Sequence, residues 1–141
     1  MALTQTATNK FKTGLMDGTF NFNTDTFKIA LYDAYATLDA NTDAYTSSHE
    51  VVASGYSGGG QTLTVSVTPT TGNSGNVAYI SFSDVSWAGA ITARGALIYK
   101  YNGTTNPTVC VLDFGSDKTS IVSFQVQFPA ATNSSAIIRI A

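Results

Sequence analysis

Short runs of alternating hydrophobic and polar residues dominate the chain from residue 27 onward. The clearest run spans 119–128, where Val122, Phe124, Val126 and Phe128 alternate with polar residues. Because successive side chains of a strand point to opposite faces, this period of two predicts strands with one buried face. Runs of this kind lie at 27–32, 61–68, 77–82, 91–101, 108–114, 119–128 and 135–140.

Segments rich in glycine and asparagine separate these predicted strands. They lie at 58–60, 72–76, 102–104 and 115–117, and their residues tolerate the positive φ angles of tight turns. The runs are not joined by the helical crossover segments that parallel strands need. We therefore predict an all-β fold, an antiparallel, jelly-roll-like β-sandwich of about seven to eight strands.

The one predicted helix is short and lies near the start of the chain, at about residues 6–18. Either Thr6 or Thr8 can cap its first turn, and Phe11 and Leu15 are spaced by four residues on one face. A helix of this length is marginal by itself. Its apolar face is therefore expected to pack against the rest of the chain or against a neighbouring subunit.

The 141 residues are expected to form a single domain, 1–141, because single domains usually contain about 100 to 200 residues. The loop at 33–48 is long for a connection inside a compact domain, and long ordered loops are often functional. It carries Tyr35, Leu38 and Tyr45. These side chains either pack on the end of the sandwich or contact another chain, where tyrosine is favoured.

Charged residues are scarce, at 11% of the chain against a typical share of about 25%. Seven Lys and Arg and nine Asp and Glu give a formal net charge of −2, and the cations are scattered, so no nucleic-acid partner is predicted. We see neither a membrane-spanning run nor a secretory signal, and we expect no membrane partner. Low surface charge weakens protection against self-association, which favours a subunit of a larger assembly.

One loop matches a metal-binding pattern. Asp39, Asn41, Asp43 and Glu50 occupy positions 1, 3, 5 and 12 of an EF-hand calcium loop. Position 6 is Ala44 instead of glycine, and a predicted strand precedes the loop where an EF-hand has a helix. The alternative is that these residues form Asx turns. We predict no metal and no cofactor, and keep calcium binding as a hypothesis to be tested.

The sequence offers little support for catalysis. His49 and Glu50 are the only histidine and the only glutamate, and as neighbours on a strand they would point to opposite faces. A Ser-His-Asp arrangement would need an aspartate from elsewhere, and we considered Asp84, Asp113 and Asp117. Cys110 lies in an apolar run, where a thiol usually behaves as a small buried hydrophobic residue. We therefore predict that the protein is not an enzyme.

Aromatic residues raise one further possibility. Trp87, Tyr79, Tyr99 and Tyr101 would form a platform for a glycan if their rings shared one surface. The alternative is packing in the core and at the ends of the sandwich, which is the commoner role of a tryptophan.

Several segments resemble a group of small virion structural proteins of tailed bacteriophages. They are NKFKTGLMDGTFNFNTDTFKIALYDA, HEVVASGYSGGGQTL, DVSWAGAITARGALIYKYNG and VCVLDFGSDKTS, followed by an isoleucine-rich C-terminal strand. The resemblance covers nearly the whole chain, although its motifs are turn and core residues. It implies a β-sandwich that decorates or cements the capsid surface, and tail and fibre proteins have similar sequences.

We therefore expect a non-enzymatic virion structural protein, a capsid decoration or cement subunit that bridges neighbouring capsid proteins. It would be made in the cytoplasm of the bacterial host and act in the virion. Expected partners are the major capsid protein or other virion subunits, and further copies of the chain. The predicted contact residues are Phe11, Leu15, Tyr35, Leu38 and Tyr45. The alternatives are a tail or head-fibre component and a glycan-binding sandwich on the virion surface.

Overall fold

The computed structural model of the chain describes residues 3–71, 76–132 and 134–140. It confirms the predicted antiparallel, sandwich-like all-β fold. Within these ranges the chain forms one helix, α1 (Asn9–Asp17), and ten strands. The strands are β1 (Thr6–Ala7), β2 (Phe27–Tyr32), β3 (Gln61–Leu63), β4 (Val65–Thr71), β5 (Ala78–Phe82), β6 (Val85–Ala88), β7 (Thr92–Lys100), β8 (Thr108–Thr119), β9 (Ser123–Val126) and β10 (Ile138–Ile140).

The strands form one large sheet and two small ones, and all their pairings are antiparallel. The large sheet has the order β1-β8-β7-β2-β3, and the small sheets have the orders β10-β5-β4 and β6-β9. Only Ser83 and Asp84 separate β5 from β6, so the two small sheets follow one another along the chain. Strand β4 contains Pro69 and two register shifts against β5.

The main hydrophobic core contains side chains from the large sheet and from both small sheets. Phe27 of β2 stacks on Phe22 with ring centroids 4.7 Å apart, and Phe82 of β5 lies 6.1 Å from Phe27. In β6 and β9 alternate residues are buried, among them Trp87 and Phe124, whose rings meet edge to face. The period of two therefore sends one face of each strand into this core.

Thr8 fixes the start of α1. Its Oγ1 accepts a hydrogen bond of 3.1 Å from the backbone N–H of Phe11, and its hydroxyl lies 3.2 Å from the Thr108 carbonyl of β8. Gly18 ends the helix with φ of 84°. The helix begins later than the predicted residue 6, because Thr6 and Ala7 pair with β8 as strand β1.

The loop after β2 covers the other face of the large sheet. Leu38 is 1% exposed and packs in a second buried cluster with Tyr32, Leu97 and Tyr99 of the sheet. Tyr45 stacks on Tyr99 with ring centroids 4.9 Å apart. The large sheet is therefore buried on both faces, which explains why its central strands are almost continuously hydrophobic.

The observed strands differ from the predicted ones in several places. Strand β8 continues through the predicted turn at 115–117 to Thr119, and β10 begins at Ile138 instead of residue 135. The run at 61–68 is broken at Thr64, so β3 and β4 belong to different sheets. The run at 119–128 forms a strand only over β9, since Val122 lies in the preceding connection and is exposed. Strands β1 and β6 were not predicted, because each is too short to show a period. The predicted turn at 72–76 falls mainly on 72–75, outside the described residues.

We predict that Gly60→Ala destabilises the fold by more than about 2 kcal/mol. Gly60 has φ of 81°, and a Cβ there would overlap the Ile29 carbonyl oxygen of β2. Urea unfolding followed by circular dichroism measures the change in the free energy of unfolding. The control is Gly58→Ala, because a Cβ at Gly58 meets open space. Equal stability of the two variants would contradict the prediction.

Candidate functional site

One lateral edge of the sandwich is mostly unpaired. On the side of β8 away from β7, only Thr6 and Ala7 of β1 pair with it in the described part of the chain. Strands β9 and β10 are terminal strands of their small sheets. We call the surface formed by α1, β8, β9 and β10 the β8 edge.

Two grooves run along the β8 edge. The first has a volume of about 370 Å³ and lies between α1, residues 109–112 of β8, and β10. The second has a volume of about 440 Å³ and lies between the second half of β8 and β9, with Phe114 and Phe124 among its lining residues. Both grooves are lined by residues of β8, one by its first half and the other by its second half, and they share no lining residue.

The helical end of the β8 edge exposes hydrophobic side chains. Met16 is 82% exposed and Ile140 is 52% exposed, while Leu15 lines the first groove. A further groove of about 340 Å³ lies on the β5 side of the helix and shares Leu15 and Ile140 with the first. Clustered exposed hydrophobic residues mark interaction surfaces more often than scattered ones do. The β8 edge is therefore the candidate interaction surface.

The five predicted contact residues do not form one surface. Leu15 lies on the β8 edge, and Phe11 lines the base of the first groove but is only 4% exposed. Leu38 and Tyr45 pack against the opposite face of the large sheet, so their burial needs no partner chain. Tyr35 is 74% exposed in the loop after β2. The prediction missed Met16 and Ile140, because exposure depends on the folded chain and not on residue type.

Glu50 is the most highly connected polar residue of the long loop. Its carboxylate accepts hydrogen bonds from the Tyr45 hydroxyl at 2.5 Å, the Tyr56 hydroxyl at 2.5 Å and the Gly59 N–H at 2.7 Å. The Tyr56 oxygen in turn accepts the N–H of Leu31 in β2 at 2.9 Å. Glu50 is only 9% exposed, so these donors replace water around a buried carboxylate.

Tyrosines around Glu50 resist ionisation. Burial is the main cause that raises the pKa of Tyr99, to about 12, and the nearby Glu50 charge raises it further. Burial is also the main cause that raises the pKa of Tyr32, Tyr45 and Tyr56. The next cause that raises the pKa is the negative charge of Glu50 for Tyr32, and the hydrogen bond to Glu50 for Tyr45 and Tyr56. The phenols therefore remain hydrogen-bond donors at neutral pH.

The calcium-loop residues are not brought together. Asp39 Oδ1 accepts the Asn41 N–H at 2.8 Å, which is the Asx turn considered above. The Glu50 oxygens are occupied by tyrosine and backbone donors instead of facing Asp39 and Asp43. Among the described residues, no group of three or more His, Cys, Asp and Glu side chains is arranged to hold a metal ion.

His49 lies in a turn with φ of 60°, not in a strand as expected, and its side chain is half-exposed whereas Glu50 is buried. The His49 Nδ1 lies 3.5 Å from the carboxylate of Asp33. Its acidic neighbour is therefore not Asp84, Asp113 or Asp117, the aspartates considered for a Ser-His-Asp arrangement. Gly55–Gly59 has the G-x-S-x-G spacing of a nucleophile elbow, a match that the sequence reasoning missed. It lies in turns that lead into β3, not between a strand and a helix, and no hydrogen bond joins Ser57 to His49 in the described ranges.

Cys110 is buried in β8, and burial raises the pKa of its thiol to about 12. The thiolate is the reactive form of cysteine, so this residue is poorly suited to nucleophilic chemistry. The structure confirms its predicted role as a buried apolar side chain.

The aromatic residues of the predicted glycan platform do not share a surface. Trp87 is 3% exposed and packs between Tyr56 and Phe124. Tyr99 is also buried, on the opposite face of the large sheet, while Tyr101 is exposed beside the ammonium group of Lys28. The interpretation of these residues as a sugar-binding platform was wrong.

Comparison with protein-family models, curated proteins and solved structures gave no match. Within the described residues, no helix has the length and hydropathy needed to span a lipid bilayer. The candidate site therefore rests on its own geometry, which is an apolar, partly unpaired edge beside a fold whose acidic and thiol groups are engaged or buried.

We predict that Glu50→Gln lowers the free energy of unfolding by about 1.5 to 3 kcal/mol. The amide keeps the shape of the side chain but loses the negative charge that the two tyrosine hydroxyls and the Gly59 N–H stabilise. Urea unfolding measures the change. Asp33→Asn is the matched control, since Asp33 lies in the same loop region with an exposed side chain. A loss no larger than that of the control would contradict the prediction.

Stability is expected to fall at alkaline pH. The pKa of Tyr99 in the folded chain, about 12, lies above its ordinary value of 10.0, so its stabilising contribution is complete below pH 10 and is lost as the pH rises through about 12. Tyr32, Tyr45 and Tyr56 act in the same direction. Absorbance at the phenolate band and circular dichroism, recorded together, should show these tyrosines ionising as the fold is lost. Ionisation of all four in the intact fold near pH 10 would refute this expectation.

Proposed function

We propose that the protein is a non-enzymatic structural subunit of a bacteriophage virion, which decorates or cements the capsid by bridging neighbouring capsid proteins. The observation that carries the proposal is the β8 edge, a largely unpaired edge of the sandwich whose helical end exposes apolar side chains. The resemblance to small virion proteins gives the biological setting. The expected partners are the major capsid protein or other virion subunits.

The first support is the distribution of hydrophobic side chains. Leu15 and Ile140 are exposed and both line two grooves that share residues of α1 and β10, and Met16, next to Leu15 in α1, is also exposed. A partner that covered them would gain about 25 cal/mol for each Å² of apolar surface removed from water, before ordering costs. Many identical copies on a symmetric shell would multiply a modest individual affinity.

The second support is the role of the polar groups inside the described ranges. Glu50 is surrounded by hydrogen-bond donors, and Cys110 is buried. His49 lies beside Asp33 at the surface and forms no hydrogen bond with Ser57 in the described ranges. Asp33 and Glu50 line a pocket of about 470 Å³, but the Glu50 oxygens already accept hydrogen bonds from Tyr45, Tyr56 and Gly59. A chain of this kind contributes shape and adhesive surface, which is the task of a decoration or cement subunit.

The location in the particle is tested on the phage whose genome encodes the chain. Particles purified on a density gradient should contain the protein, and antibody labelling should place it over the head. Particles that lack the gene should release DNA at a lower temperature, since a cement subunit stabilises the shell. Labelling of the tail or of fibres would support the alternative virion location, and absence from infectious particles would refute the proposal.

We predict that Leu15→Asp weakens binding to heads that lack the protein by about tenfold or more, because the contact would then have to bury a carboxylate. Sedimentation of heads with added purified protein measures the bound fraction. The control is Val52→Asp, since Val52 is 97% exposed and lines neither groove of the β8 edge. Equal binding of both variants would place the contact elsewhere on the molecule.

A further inference from the structure

The pairing of β6 with β9 defines which backbone groups of β9 point outward. The Gly89 N–H donates to the Val122 carbonyl at 2.7 Å, and the ladder continues with Trp87 opposite Phe124. In an antiparallel pair, hydrogen-bonded and non-hydrogen-bonded positions alternate. Phe124 therefore faces β6 with its backbone groups, whereas those of Ser123 point away from it.

The same alternation places the backbone groups of Ser123, Gln125 and Gln127 on the outer side of β9. On the far side of β6, the corresponding outward carbonyl of Ser86 accepts the Gln61 amide at 2.6 Å. The outward groups of Ser123, Gln125 and Gln127 have no hydrogen-bond partner in the parts of the chain that the structure describes. An unpaired strand edge of this kind is a template for another strand.

The side chains on this edge do not oppose pairing with an identical strand. Ser123, Gln125 and Gln127 are exposed and uncharged. Two copies can therefore approach without the repulsion that like charges cause across a strand pair. In an antiparallel pair with Gln125 at a two-fold axis, Ser123 of each copy faces Gln127 of the other, which gives about six backbone hydrogen bonds.

The charged residues nearest β9 do not oppose this arrangement. Lys118 is exposed and lines the groove of the β8 edge that also contains Ser123. The Asp84 carboxylate accepts the Phe128 N–H at 2.8 Å and therefore lies on the β6 side of β9, away from the pairing edge. Because the strands run in opposite directions, the two Lys118 side chains lie at opposite ends of the strand pair.

The connection before β9 adds apolar surface to the same edge. Ile121 and Val122 are both largely exposed, although each is a β-branched hydrophobic residue that is usually buried. They precede Ser123 directly, so a strand paired along β9 passes next to them.

We propose that β9 is a dimerisation strand that pairs antiparallel with β9 of a second copy of this chain, with Gln125 at the two-fold axis. The pairing joins two β6-β9 sheets into one four-stranded sheet. It goes beyond the proposed function, because it concerns the isolated chain and holds wherever the protein acts.

The test introduces single cysteines at neighbouring exposed positions of β9 in the full chain. In the proposed dimer, the two Gln125 Cα atoms lie about 5.5 Å apart, within the range of a disulfide. The two Ser123 Cα atoms lie about 14 Å apart, which is too far. Mild oxidation should therefore convert most Gln125→Cys protein into a covalent dimer and leave Ser123→Cys protein uncrosslinked. The native thiol of Cys110 is buried and should not interfere.

Sedimentation velocity under reducing conditions gives an independent measure. The unaltered chain should sediment as a dimer, and Gln125→Lys, which places two ammonium groups together at the axis, should raise the dimer dissociation constant at least tenfold. Val52→Lys adds the same charge to a residue that is 97% exposed and lies outside the β6-β9 sheet, and it should leave the constant unchanged. A monomeric native chain, equal crosslinking of the two cysteine variants, or equal effects of the two lysine variants would overturn the proposal.

Discussion

The hydrogen bonds of the buried Glu50 carboxylate are the interaction on which the loop after β2, which covers one face of the large sheet, depends. The carboxylate joins the long loop after β2 to the turn before β3, through two tyrosine hydroxyls and one backbone N–H. Tyr56 extends this network to the backbone of β2. Two further bonds hold the segment carrying Leu38 to the sheet: the Thr108 N–H of β8 donates to the Asp43 carbonyl at 3.0 Å, and the Tyr32 hydroxyl of β2 donates to the Thr46 carbonyl at 2.6 Å. The only glutamate of the chain therefore has a structural role.

Covering both faces of the large sheet determines where the molecule can meet other molecules. The small sheets bury one face and the loop buries the other, so the unpaired backbone groups of the described strands lie at the lateral edges. Exposed apolar side chains lie there too, and Tyr35 and Val52 are exposed in the connection after β2. The chain also has few charges with which to repel neighbours. The surface most able to bind another chain is consequently a narrow strand edge, which favours ordered assembly over nonspecific aggregation.

The sequence was sufficient for those features that depend on local pattern. Alternating residues predicted β2 and β7, and a capping threonine with the Phe11 and Leu15 spacing predicted α1. It did not identify β1, whose two residues become a strand only because β8 lies beside them. It offered Glu50 only as a possible calcium-loop residue and did not find its structural role, since the contact with Tyr56 depends on tertiary folding. Met16 and Ile140 were missed for the same reason, because only the folded chain determines which hydrophobic residues stay exposed.

Pro69 makes the two edges of the second layer of the sandwich, which the two small sheets form, unequal. At one side, β9 offers regular backbone groups, whereas at the other, β4 carries a proline and two register shifts. A proline lacks an N–H, and bulges distort the spacing that an incoming strand needs. Strand addition at β9 thus has no equally regular counterpart at β4. This asymmetry works against repeated strand addition across the second layer, which is how a fibril grows.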